Sequence, residues 1–141
     1  MAEEKIALDV AEAEFERWAD AMDLARKLDP AGLDSDDKKS LADSKRNILD
    51  SMMSGNLVVN DAGEFVFTPK AGDDKEPIVF HEPDGAAIMA VDQIGKSGTH
   101  DVTKMVAILA VMTKQSRVRF AKLKNRDWTV CQAIFSLFFA R

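Results

Sequence analysis

The residues of this chain that could do chemistry are few and scattered. Two histidines, His81 and His100, and the single cysteine, Cys131, lie far apart and lack the short spacings that are typical of metal ligands. A nucleophilic triad needs several such groups brought together in space, and no sequence pattern indicates one. We therefore predict that the protein is not an enzyme and uses no cofactor or metal. Cys131 is expected to be a small buried apolar residue.

Gly95-Lys96-Ser97 invites comparison with a phosphate-binding loop. The Walker A pattern requires a glycine five residues before Gly95, but Ala90 stands there, and no predicted strand precedes the loop. We interpret the tripeptide as a loop that follows the end of a helix. The pair Asp73-Asp74 has no further carboxylates at fixed offsets, so we expect it to be solvated and not to bind a cation.

Length and charge indicate one ordinary globular domain, or one domain with an appendage. The 141 residues are 46% hydrophobic and 30% charged, with a net charge of −5. No apolar run approaches the ~18 residues of a membrane span, and the N-terminus lacks the features of a signal peptide. We therefore expect a cytoplasmic protein without membrane contact.

The charge is unevenly divided along the chain. Residues 1–82 hold 10 basic and 20 acidic side chains, whereas residues 83–141 hold 9 and 4. The two parts can pack together and offset each other's fields, or each can meet a different partner. We favour the first interpretation, because such asymmetry is common.

Apolar periodicity predicts two helices at the N-terminus. The first should cover residues 6–28, with Trp18 on its buried face and Asp29-Pro30 as its stop. The second should start near Asp34, which can cap it, and end before Gly55. The short connection between them indicates an antiparallel pair.

A β-hairpin and further helices are predicted after this pair. Residues 57–59 and 65–67 are β-prone runs joined by Asn60-Asp61-Ala62-Gly63, which suits a type I turn with a glycine bulge. Residues 78–80 can add a third strand after a polar linker at 70–77. Helices are then expected over 83–95, over 101–113, within 114–126, and from Asn125 onward. The predicted fold class is mainly α with a small β-hairpin (α+β), in three parts: 1–55, 56–80 and 81–141.

Two stretches could contact partners. The basic segment 114–126 could bind phosphates, with Phe120 stacking on a base, although the acidic net charge and the lack of other platform aromatics count against nucleic acid. The last helix carries Trp128, Phe135 and Phe138, with Phe139 beyond them. It is either buried all round or partly a partner-binding face, and the sequence favours neither.

From Phe80 onward the chain resembles the tail assembly chaperones of long-tailed bacteriophages, in their Mu-like branch. The resemblance covers about residues 78–139 and rests on the order of short motifs. These are Phe80-His81-Glu82-Pro83 after a short strand, a helix with Asp92, an apolar helix closing on Val111-Met112-Thr113, a short helix reaching Leu123, and Arg126-Asp127-Trp128 at the start of the final helix. The family often has Gly-Leu-Pro where this chain has Lys114-Gln115-Ser116, and the helical pair at about 6–55 is outside its usual pattern.

The resemblance implies a non-enzymatic role in the host bacterial cytoplasm. Such proteins bind the long, aggregation-prone tape-measure protein before the tail tube polymerises around it. They can also recruit major tail tube subunits, and they are absent from the mature virion. Formation of a homo-oligomer is compatible with this role. Two alternatives stay open: a small nucleic-acid-binding protein that uses segment 114–126, and a structural head or tail adaptor.

On this hypothesis we expect seven residues to contact the partner. They are Arg117, Arg119, Lys122, Trp128, Phe135, Phe138 and Phe139.

Overall fold

The structure is a computed structural model and describes residues 6–24, 31, 34–71, 75–85, 89 and 101–138. Its helices are α1 (Leu8–Ala21), α2 (Ser35–Met53), α3 (Asp101–Thr113), α4 (Arg117–Ala121) and α5 (Asn125–Phe138), and its strands are β1 (Leu57–Val59), β2 (Phe65–Phe67) and β3 (Ile78–Phe80). Helices at both ends of a small antiparallel sheet confirm the predicted α+β class. The helix expected over 83–95 and the Gly95-Lys96-Ser97 loop lie almost wholly outside the described residues.

Helix α1 ends earlier than its sequence pattern predicts. Asp23 takes a left-handed conformation with φ of 56°, its N–H bonds to the Asp20 carbonyl at 3.1 Å, and the Leu24 N–H bonds to the Ala19 carbonyl at 2.8 Å. This is a Schellman motif, which satisfies the last carbonyls and turns the chain away. The predicted stop at Asp29 was therefore wrong, and the buried Leu24 side chain accompanies the turn.

Helix α2 has both ends that the sequence predicts. The Asp34 carboxylate accepts a hydrogen bond of 2.8 Å from the Asp37 N–H, as an N-cap should. Gly55 follows the helix with φ of 87°, and the N–H groups of Gly55 and Asn56 bond back to Met52 and Ser51, at 3.1 Å each. The positive φ at Gly55 is the reason that glycine is favoured there.

The predicted hairpin with its turn is confirmed, and residues 78–80 add the third strand that the sequence allowed. The Gly63 N–H donates to the Asn60 carbonyl at 3.0 Å, and the Asn60 N–H donates to the Glu64 carbonyl at 2.9 Å. Gly63 has φ of 81°. Strand order is β1-β2-β3, with Leu57, Phe67 and Ile78 in register on the buried face. A lone hairpin is marginal in water, and here α1 and α2 pack on it.

One hydrophobic core joins the three predicted parts of the chain. Helix α2 packs most extensively on α5, so the N-terminal pair is in direct contact with the C-terminal helices. Trp18 lies at the junction and is fully buried, as expected. Its ring stacks on Phe65 at 4.4 Å between centroids and meets Phe138 edge-on at 5.2 Å, both favourable aromatic geometries.

Candidate interaction surface

The basic segment forms a sharp bend between α3 and α5. Helix α3 ends in a Schellman motif at Lys114, which has φ of 58°; the Gln115 N–H bonds to the Ala110 carbonyl at 3.0 Å. Ser116 then caps α4 by accepting from the Arg119 N–H. Phe120 is only 2% exposed and anchors the bend in the core. The polar side chains of α4 are thereby left on the outside.

We call the exposed cations of this bend the basic surface. Its members are Lys114, Arg117, Lys122, Lys124 and Arg126, all of which are exposed. None of them forms an ion pair with a carboxylate of the described residues. Val118 lies among them and is 60% exposed. Within the described residues, the bend therefore presents exposed cations that form no ion pair, together with an exposed apolar side chain.

Arg119 lies in the same bend but is used within the chain. Its Nη1 donates to Gln115 Oε1 at 3.0 Å, and its Nη2 donates to the Glu76 carbonyl. These bonds tie α4 to the segment that precedes β3. Arg119 therefore differs from Arg117 and Lys122, the other two cationic residues predicted to contact the partner. The Arg119 side chain positions the bend, whereas Arg117 and Lys122 are exposed.

The predicted aromatic contacts divide into three groups. Trp128 and Phe135 are half-buried and are seven residues apart, so they lie on the same side of α5; we call them the aromatic pair. Phe138 is only 9% exposed and meets Trp18, so in this structure it is a core residue. Phe139 lies outside the described residues.

Asp127 is a buried structural anchor that sequence reasoning left unexplained. It is 1% exposed, and its two carboxylate oxygens accept from the backbone N–H groups of Lys70 and Ala71 at 2.7 and 2.9 Å. The start of α5 is thus fixed to the segment that follows β2. The available signal in the sequence was a single Asp among basic residues. It could not identify the partners, Lys70 and Ala71, which lie 57 and 56 positions away.

A cleft of about 470 Å³ lies beside Asp127, between α2 and α5. Its polar wall includes Asp50, Asn56 and Arg126. The buried Asn56 already bonds to Ser54 and Thr68, and Asp127 is held by two amides. The buried polar groups of this cleft are accounted for within the chain.

The residues that could do chemistry are placed apart. His81 Nδ1 lies 2.6 Å from Glu64 Oε2 and joins β3 to the hairpin turn. Cys131 is fully buried, and burial, with a smaller contribution from Asp127, raises the pKa of its thiol to about 12. Such a thiol is a packing residue, as predicted. His100 and Asp73-Asp74 lie outside the described residues. Among the residues that the structure describes, no cluster of His, Cys, Asp or Glu could hold a metal.

Comparison with protein-family models, curated proteins and solved structures finds no significant match. Among the described helices, none has the length and apolar character needed to cross a membrane.

Proposed function

We propose that this chain is a tail assembly chaperone of a long-tailed bacteriophage, acting in the host cytoplasm on the tape-measure protein. The sequence resemblance over residues 78–139 supports it. The order of elements is compatible: β3 ends at Phe80, α3 closes at Thr113, and α5 begins one residue before Arg126. Asp127 of the Arg-Asp-aromatic motif also fixes the start of α5 to the segment that follows β2, through hydrogen bonds from the Lys70 and Ala71 N–H groups.

The observation that carries the proposal is the surface of the bend and of α5. It combines five exposed cations, the exposed Val118 and the half-buried aromatic pair. A chaperone that keeps a helical client soluble needs apolar side chains that can cover the client's apolar face, and charges that confer orientation and solubility. No chemical step is required, so the protein acts by reversible binding alone.

The test is co-expression with candidate phage tail proteins, scored by which becomes soluble and co-purifies. Val118→Ser should reduce recovery of the tape-measure protein, because it removes the exposed apolar group of the basic bend. Val58→Ser is a matched control, since Val58 is 52% exposed on the outer face of the sheet and should leave recovery unchanged. Equal loss with both variants, or no solubilisation by the wild type, would sink the proposal.

The aromatic pair gives a second arm of this test. Phe135→Ser should weaken client recovery while far-UV circular dichroism still shows a folded protein, with a urea midpoint that is lowered because Phe135 packs against the edge of the core. Phe138→Ser should unfold the protein, because it leaves a cavity beside Trp18. If Phe135→Ser loses the client only because the variant is unfolded, Phe135 is a core residue and not a contact of the client.

The exposed cations of the bend, which form no ion pair among the described residues, are the observation that favours the alternative of nucleic-acid binding. The burial of Phe120 removes the one stacking residue that this alternative had. Retention on a DNA column that disappears with modest salt would support it. The adaptor alternative predicts instead that the protein is found in purified virions.

A further inference from the structure

We propose that the basic surface binds the exposed acidic face of α1 in a second copy of this chain, giving a weak head-to-tail self-association. The inference goes beyond the proposed function and does not rest on it, although both use the basic surface. It starts from two surfaces of opposite charge, on different elements, that form no ion pairs within the described part of the chain.

The acidic surface is a stripe along α1. It consists of Asp9, Glu12, Glu16 and Asp20, whose spacing of three and four residues places them on one side of the helix. All four are exposed, and none forms an ion pair within the described part of the chain. Over eleven residues the stripe is about 17 Å long at 1.5 Å per residue.

These two surfaces do not neutralise each other within one molecule. Helix α1 packs on α2 and β1, whereas α4 packs on α3. The one arginine of α1, Arg17, is already occupied: its guanidinium pairs with Glu14 at 2.7 Å and donates to the carbonyls of Val59 and Asn60. Ion pairs between the acidic stripe and the basic surface therefore require two molecules.

Each of the two charged surfaces also has exposed apolar groups nearby. Val118 is exposed on α4, and Lys122, four residues after it at the C-cap, lies on the same side of the helix. Beside the acidic stripe lies a shallow depression of about 420 Å³, lined by Val10 and Ala13 together with charged residues of α1. An exposed apolar side chain on the basic bend thus has an apolar hollow beside carboxylates as its counterpart.

The acidic partner is favoured over a nucleic acid for a physical reason. The protein has a net charge of −5, which repels a polyanion at long range, and Phe120 is buried and unable to stack on a base. An acidic helix carries only local negative charge. Because the basic surface and the acidic stripe are different patches of the chain, the contact is heterologous, and further copies can add to it in the same way.

Sedimentation velocity over a concentration series, at low and high salt, tests the association. The wild type should self-associate at low salt, and the association should weaken at least about tenfold at high salt, where exposed charges are screened. Two double variants should each abolish it: Arg117→Glu with Lys122→Glu, and Glu12→Lys with Glu16→Lys. An equimolar mixture of the two should associate again, since each then carries surfaces complementary to the other.

A matched control separates position from net charge. Lys38 and Lys39 are exposed on α2, and reversing both to Glu changes the net charge as much as the Arg117 and Lys122 reversals do; this variant should associate like the wild type. The proposal is overturned if the wild type stays monomeric at low salt, if the Lys38 and Lys39 control loses association equally, or if the mixture remains monomeric. Circular dichroism of each variant checks that it is folded.

Discussion

Asp127 offers the sharpest test of how the two halves of the chain are held together. Its carboxylate is 1% exposed and accepts two backbone hydrogen bonds, from Lys70 at 2.7 Å and Ala71 at 2.9 Å. A hydrogen bond to a charged group contributes about 1.5–3 kcal/mol, and a buried donor left unpaired costs about 1–3 kcal/mol. Asp127→Asn keeps the shape but replaces one acceptor oxygen with an NH₂ group that faces another N–H. We expect it to lower the free energy of unfolding by about 3 kcal/mol.

The assay is urea unfolding followed by far-UV circular dichroism. A loss of about 3 kcal/mol is a large part of the 5–15 kcal/mol typical of a domain, and it should appear as a lower midpoint with an unchanged m-value. Asp127→Ala should cost more, about 4–5 kcal/mol, because both acceptors are lost. Asp61→Asn, at an exposed position in the hairpin turn, is the control and should stay within about 0.5 kcal/mol. A change below about 0.5 kcal/mol for Asp127→Asn would refute the role assigned to this carboxylate.

Three further outcomes follow from positions with unusual backbone or burial. Gly63→Ala should destabilise the protein by about 2–3 kcal/mol, because φ is 81° and the new Cβ would lie 2.4 Å from the Ala21 Cβ; a urea midpoint equal to that of the wild type would contradict this. Lys114→Gly should raise the free energy of unfolding by about 1 kcal/mol by relieving the left-handed φ of 58°, whereas Lys114→Ala should leave it nearly unchanged. Cys131 should resist a thiol reagent in the native state and react after unfolding, since burial and the Asp127 charge raise the pKa of its thiol from 9.0 to about 12. The folded state holds the thiol proton more tightly than the unfolded state, so this contribution to the free energy of unfolding is full below pH 9 and declines as the pH rises toward 12. In Cys131→Ala, the free energy of unfolding should decline less over the same pH range.

Local signals predicted the elements whose causes lie within a few residues. The cap at Asp34 and the glycine at Gly55 set the ends of α2, and the Asn60–Gly63 turn sets the hairpin. Each depends on hydrogen bonds between neighbours in the chain, so the residue types alone carry the information. The end of α1 was missed because Asp23, a residue other than glycine, occupies the left-handed position.

The candidate surface was predicted only in part, because the partners of its residues are distant in sequence. Arg117 and Arg119 look alike in the sequence, yet Arg119 reaches Glu76, 43 positions away, and Arg117 remains exposed. Phe135 and Phe138 are likewise of the same residue type and lie three positions apart in the same helix. Only the docking of α5 beside Trp18 decides that Phe138 is buried and that Phe135 lies at the edge.

The sequence by itself determined the fold class, the hairpin with its turn, the ends of α2 and the core position of Trp18, because periodicity and capping act over short spans of chain. The tertiary structure alone decided which charges are compensated, which aromatics are accessible, and what Asp127 does. Those properties depend on contacts between elements tens of residues apart. A pattern of residue types along one chain does not specify such contacts.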